Sequence, residues 1–135
     1  RNASNILEIQ EQKTPQIFNN LSELKSFVNP LREIFSSGED INKFGELLHQ
    51  GWVIKRGLTE VISSTEIDNY YQEALDSGAI GGKLLGAGGG GFLLLYVEKK
   101  NQQSVIDALS NLFHLNVCFD QGGTRITYYD QSMIV

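Results

Sequence analysis

Between Ser77 and Phe92 the chain reads SGAIGGKLLGAGGGGF, and eight of its fourteen glycines fall in that stretch. Two kinds of group there could do chemistry. Successive glycines leave peptide N–H groups bare, and such groups can cradle an anion, phosphate above all. Lys83 adds a compact point charge beside them. Glycine costs roughly 0.5–1 kcal/mol relative to alanine inside regular structure. Four in a row, Gly88, Gly89, Gly90 and Gly91, therefore call for either positive φ or the close approach of another backbone or a ligand. With Gly86 these are the candidate phosphate-contacting residues. A tight hairpin that holds no ligand is the alternative.

Three lookalikes fail. Gly86, Gly88 and Gly91 satisfy G-x-G-x-x-G by spacing, but a dinucleotide fingerprint needs a strand before the loop and a helix after it. Here the loop runs into FLLLYV, a short apolar segment that reads as a strand. Gly82-Lys83 is not a nucleotide P-loop either, because Leu84 stands where Ser or Thr would hold magnesium. A flexible linker would be polar, and this stretch is flanked by AIGGKLL and FLLLYV. What remains is a glycine-rich turn joining two strands, residues 82–85 and 92–97.

The other reactive side chains are scattered. His49, Trp52, Lys55 and Arg56 share one helix. The simplest reading makes His49 an exposed or satisfied helix histidine, Trp52 a core residue, and the two cations an offset to the helix dipole. Arg125 reads as a solvated or ion-paired strand residue. Cys118, between Val117 and Phe119, reads as a reduced, buried packing residue. Two histidines and one cysteine, far apart, give no metal site. No residue offers itself as a catalytic acid or base.

The elements that must position the glycines follow from periodicity. A short helix over residues 2–13 ends at Thr14-Pro15. Ile17, Leu21, Leu24, Val28, Leu31 and Phe35 form a helical stripe that Pro30 should kink or break near residues 27–29, and Ser36-Ser37-Gly38 ends it. Asp40 can cap a second helix with the stripe Ile41, Phe44, Leu48 and Trp52. Thr65 and Asp68 resemble a capping box opening a helix through Ile67, Tyr70, Tyr71, Ala74 and Leu75, both tyrosines packing and Gly78 serving as a left-handed cap. Beyond the second strand, Val105, Ile106, Leu109, Leu112 and Phe113 predict a helix. Residues 117–119 and 125–129 predict two last strands joined by a turn at Gly122-Gly123. The expected class is α+β: an antiparallel, ferredoxin-like sheet with several helices on one face. Residues 1–77 are mainly helical; residues 78–135 hold the hairpin, a helix and the terminal strands.

Composition narrows the function classes. At 135 residues the chain suits one domain, and 41% hydrophobic with 20% charged residues is ordinary for a globular protein. A net charge of −5 with scattered basic residues disfavours nucleic acid as a partner. No run is long enough to span a membrane, no signal peptide is visible, and a lone cysteine fits the cytoplasm.

GGKLLGAGGGGF resembles the third motif of the GHMP kinases, the superfamily of galactokinase, homoserine kinase and mevalonate kinase. HQGWVIKRGLTEVISSTEIDNYYQEALDSGAIGGK and TRITYYD are similar to its D-glycero-D-manno-heptose 7-phosphate kinase branch. The resemblance covers nearly the whole chain, but only the C-terminal domain of such a kinase. It implies a ferredoxin-like domain whose first strand would precede Arg1, so that residues 1–135 would be part of a larger kinase. ATP and magnesium would be held mainly by an N-terminal domain, whose glycine/serine phosphate loop and catalytic acidic residue have no counterpart here. The third motif would pack against that loop and line the substrate cleft. Lys83 and Lys55, the latter in a WVIK segment similar to the family's substrate-facing helix, become the candidate substrate-binding residues for a sugar phosphate. The leading expectation is thus the C-terminal domain of a kinase phosphorylating the anomeric hydroxyl of a heptose 7-phosphate, inactive as an isolated chain. Two alternatives stand beside it. One is a stand-alone ferredoxin-like module that binds a metabolite without turnover. The other is a structural domain forming a homodimer through an unpaired sheet edge.

Overall fold

The computed structural model describes residues 3–38, 40–118 and 122–125. Five helices precede a hairpin: α1 (Ala3–Gln12), α2 (Thr14–Ser26), α3 (Val28–Ser37), α4 (Asn42–Leu58) and α5 (Thr65–Asp76). Strands β1 (Ala79–Leu84) and β2 (Leu93–Val97) follow, then a 3-10 turn at Lys99–Asn101 and α6 (Gln102–Ala108). The class is α+β, as the sequence predicts.

Local chemistry sets most of the boundaries. Pro15 sits in the first turn of α2, where its missing N–H removes no helical bond. The break expected ahead of Pro30 falls at Phe27, which ends α2 and opens α3. Gly38 ends α3 in the left-handed conformation at φ 71°. The Asp40 carboxylate accepts the Asn42 N–H at 3.0 Å and so caps α4. Before α5 the cap lies one residue earlier than the capping-box reading placed it. The Ser64 hydroxyl accepts the Ile67 N–H, while Asp68 accepts a 2.7 Å bond from the Ser63 hydroxyl.

β1 and β2 pair antiparallel with Lys83 opposite Leu94 and Leu84 opposite Leu93. A bulge interrupts the register between Ala79 and Gly81, where β1 packs against α4. There the helix and strand backbones touch. A Cβ on Gly45 would meet Ile80 and Tyr96, and one on Gly81 would fall well inside contact distance of the Gly45 carbonyl oxygen. Only a pair of glycines allows this approach. From it α4 and β1 run the same way. Ten helical residues from Gly45 and five extended residues from Gly81 both advance roughly 15 Å, which brings Lys55 level with the glycine loop.

The main core joins Ile6, Ile17, Trp52, Leu58, Ile62, Tyr71 and Leu84, so α1, α2, α4, α5 and β1 share it. Burying each large side chain stabilises the fold by roughly 1.5–3 kcal/mol. A smaller cluster of Ala74, Ala79 and Val105 holds α6 against α5 and β1. The break at Phe27 rephases the helical stripe, so that Ile34 is buried while Val28 and Phe35 are exposed. Within α4, Gly45 replaces the exposed Ile41 in the buried stripe.

Three expectations beyond β2 are corrected. α6 ends at Ala108 rather than running to Phe113, which is 83% exposed. Ser110 and Asn111 compete for the backbone and disfavour a further turn. Val117 and Cys118 form no strand, and Cys118 is exposed rather than buried, because no described segment covers it. Phe119 and residues 126–129 of the predicted last strands lie outside the described residues. No helix among the described residues is long and apolar enough to cross a membrane.

Candidate functional site

The glycine loop, residues 86–91, leaves β1 and returns into β2, and the Leu85 N–H to Phe92 carbonyl bond of 2.8 Å closes its base. All five of its glycines have positive φ, from 70° at Gly89 to 156° at Gly90. The loop is seated on the turn between α4 and α5. Gly89 donates its N–H to the Ile62 carbonyl at 2.8 Å. A Cβ on Gly88 would lie 2.8 Å from the Ile62 Cα and 2.9 Å from its carbonyl oxygen. A Cβ on Gly86 or Gly90 would meet nothing among the described residues within 4 Å.

The two explanations offered for the glycines therefore apply to different members. Gly88 is required by the approach to the Ile62 backbone. Gly86 and Gly90 face open space, where their peptides are accessible. Gly91 lies between these cases, its Cβ position 3.0 Å from the Leu85 carbonyl oxygen.

Lys55, three residues from the end of α4, donates from Nζ to the Gly86 carbonyl at 2.9 Å. Burial and, next, the neighbouring Lys83 ammonium hold its pKa below the ordinary lysine value. Lys83 is half-buried on β1, two residues beyond Gly81 and hence on the α4 side of the strand. Among the described residues no carboxylate comes within ion-pair distance of either lysine. The nearby Asp68 already faces Arg56 at 3.3 Å and the Ser63 hydroxyl at 2.7 Å. Lys55 thus stands at the loop with Lys83 as its charged neighbour, and among the described residues no acidic side chain pairs with either.

A second set of bonds stiffens the strand that feeds the loop. The His49 Nδ1 lies 2.9 Å from the Tyr71 hydroxyl, and that hydroxyl lies 3.4 Å from the Gly82 carbonyl. The imidazole and phenol stack with centroids 5.9 Å apart. Burial pushes the Tyr71 pKa up to about 12. His49 is therefore satisfied and Tyr71 packs in the core, whereas Tyr70 is partly exposed and bonds Glu66. Trp52 is a core residue at 1% exposure. Its indole Nε1 and the Thr59 hydroxyl are buried without a hydrogen-bond partner among the described residues. Arg125 is exposed and far in sequence from the loop; the rest of its predicted strand lies outside the described residues.

The sequence reading missed Ile62 and Gly45. Ile62 acts through its backbone, which leaves no signature in side-chain type. Gly45 left one, a glycine inside an amphipathic helix, where it costs about 1 kcal/mol against alanine. The residues gathered at the loop suit an anion, with bare peptides and two ammonium groups. Among the described residues no three His, Cys, Asp or Glu side chains gather closely enough to hold a metal ion.

Comparison with known proteins gives three findings. The family profile described as GHMP kinases C terminal matches residues 21–115. A D-glycero-alpha-D-manno-heptose 7-phosphate kinase from Campylobacter jejuni is 34% identical over 70 residues, covering 52% of this chain and 21% of that protein. A crystal structure of L. major mevalonate kinase in complex with R-mevalonate superposes with a TM-score of 0.68 at 20% identity, over 82% of this chain and 35% of that one. The chain thus spans about a fifth of the curated relative and about a third of the structural one.

Proposed function

The chain belongs to the GHMP kinases, matching their C-terminal domain, and from that premise we propose that residues 1–135 are the C-terminal domain of an ATP-dependent sugar kinase. In this proposal the acceptor is a heptose 7-phosphate and the phosphoryl group goes to its anomeric hydroxyl. The Campylobacter relative, named for that substrate, supports the choice of sugar. The observation that carries the proposal is the seating of the loop. A glycine turn clamped to Ile62 at Gly88 and Gly89 and tied to Lys55 at Gly86 is a preformed surface. Phosphoryl transfer rests on such positioning and on charge stabilisation more than on covalent chemistry.

The roles divide along that geometry. Gly88 and Gly89 hold the loop's shape, and the open peptides at Gly86, Gly90 and Gly91 line the cleft beside the nucleotide's phosphates. Lys83 and Lys55 are the substrate contacts. ATP and magnesium are held mainly by an N-terminal domain of the same protein, outside this chain. Magnesium, when bound there, neutralises charge on the transferring phosphate. The reaction is cytoplasmic, with no nucleic acid or membrane among the partners.

The intact protein containing this domain tests the proposal in a coupled assay for ADP release. Heptose 7-phosphate should be turned over, and mevalonate, homoserine and galactose should not. Turnover of one of those three with none of the heptose phosphate would overturn the choice of substrate.

A further inference from the structure

We propose that Lys55 and Lys83 form a two-pronged site for a terminal phosphate dianion, and that Lys55 links occupancy of that site to the shape of the glycine loop. The inference rests on the kinase reading above and adds what the two lysines select and how they act. Three observations carry it.

First, α4 and β1 pack together at Gly45 and Gly81, so the two lysines stand on different elements: Lys55 reaches the loop at Gly86, and Lys83 is its charged neighbour on the α4 side of β1. Their separation is set by backbone packing rather than by mutual attraction, which like charges lack. Second, no acidic side chain among the described residues pairs with either lysine, and Asp68 is held by Arg56 and Ser63. A half-buried pair of like charges without a counter-ion raises the energy of the empty site, and a bound dianion relieves it. Third, Lys55 spends one of its three N–H donors on the Gly86 carbonyl, at 2.9 Å. The remaining donors are available to an anion, while the first fixes the peptide between Gly86 and Ala87. An anion that draws on Lys55 thereby steadies or shifts the loop, and the effect passes to Gly88 and Gly89 on Ile62. A neutral hydroxyl cannot satisfy two ammonium groups in this way, so the site favours phosphorylated over unphosphorylated ligands. Either the acceptor's own phosphate or the terminal phosphate of the nucleotide has this chemistry.

The test uses the intact protein and its Lys55→Met, Lys83→Met and Lys55→Arg variants. Steady-state kinetics with separate titrations of sugar phosphate and ATP distinguish the two sources. A charge-assisted hydrogen bond of the usual strength predicts that each Met variant raises one KM by roughly 10- to 100-fold and leaves the other within about twofold. Arginine at position 55 should restore most of the loss. A rise for the sugar phosphate assigns the site to the acceptor, and a rise for ATP assigns it to the nucleotide. Hydrogen exchange at the amides of residues 86–91, with and without inorganic phosphate, reads the link to the loop. Phosphate should protect these amides in the parent protein and not in Lys55→Met, a difference that a merely structural lysine would not produce. If neither KM moves and phosphate leaves the exchange unchanged, the inference is wrong even where the kinase reading stands. If heptose 7-phosphate is not a substrate but phosphate protects the loop through both lysines, the substrate reading fails and the anion site remains.

Discussion

Replacing Gly88 with alanine isolates the claim that the glycine loop is seated on Ile62. Two penalties add at this position. The backbone has φ +127°, a conformation that costs an L-residue roughly 1–2 kcal/mol. The new Cβ would lie 2.8 Å from the Ile62 Cα, whereas carbon atoms settle at about 3.5–4.0 Å. Relief requires the loop to lift by roughly 0.7 Å or more. The Gly89 N–H to Ile62 carbonyl bond, now 2.8 Å, would stretch beyond useful length. Ile62 is fully buried, so its carbonyl would be left without that donor, at about 1–3 kcal/mol. The expected loss is therefore about 2–5 kcal/mol. Gly86→Ala provides the control: its φ is +93°, but its Cβ meets nothing among the described residues within 4 Å, so only the backbone term of roughly 1–2 kcal/mol applies. Urea unfolding of both variants in the intact protein reads the difference, and kcat reads the displacement. A shift approaching 1 Å beside a reacting phosphate costs on the order of 100-fold in rate. Equal stability losses for the two variants would mean that the Ile62 contact contributes nothing and that the loop is not seated there.

Other predictions follow from single observations. Thr59→Val removes a buried hydroxyl that has no hydrogen-bond partner among the described residues, at an extended position that suits valine, and should raise stability by about 1 kcal/mol in thermal unfolding. The Tyr71 pKa is raised by burial from 10.0 to about 12, so the fold holds a proton that the unfolded chain releases. Its contribution is complete below pH 10 and falls as pH rises through about 12, by roughly 2–3 kcal/mol. Tyr71→Phe should flatten that part of the stability profile when the two proteins are compared by denaturant unfolding. The isolated 135-residue chain should show no ATP-dependent phosphorylation of any sugar phosphate, and measurable turnover by the pure chain would contradict the division of roles proposed above.

Helix boundaries were legible where a residue's backbone chemistry is intrinsic. Pro30, Gly38, Asp40 and Gly78 mark their positions whatever surrounds them, and the structure breaks, caps or turns at each. The density of glycine before FLLLYV likewise announced a hairpin with a special turn. Burial phase was less legible. Once the chain breaks at Phe27 the helical stripe restarts, which puts Ile34 inside and Phe35 outside. The candidate site was legible only in part, because its geometry depends on contacts between elements. Nothing in the sequence pairs Gly45 with Gly81, yet their contact sets the path of α4 past β1 and so brings Lys55 to Gly86. Cys118 shows the same dependence: its apolar neighbours suggested burial, but burial also needs a second layer to cover it.

The proposed role of this domain is to serve transfer of phosphate to the anomeric oxygen of a sugar that already carries one. Phosphorus NMR of the products formed by the intact protein from ATP and heptose 7-phosphate tests it most directly. The expected products are ADP together with a new anomeric phosphate signal and an unchanged 7-phosphate signal. Unspent ATP, or a new phosphate on any other hydroxyl, would contradict it.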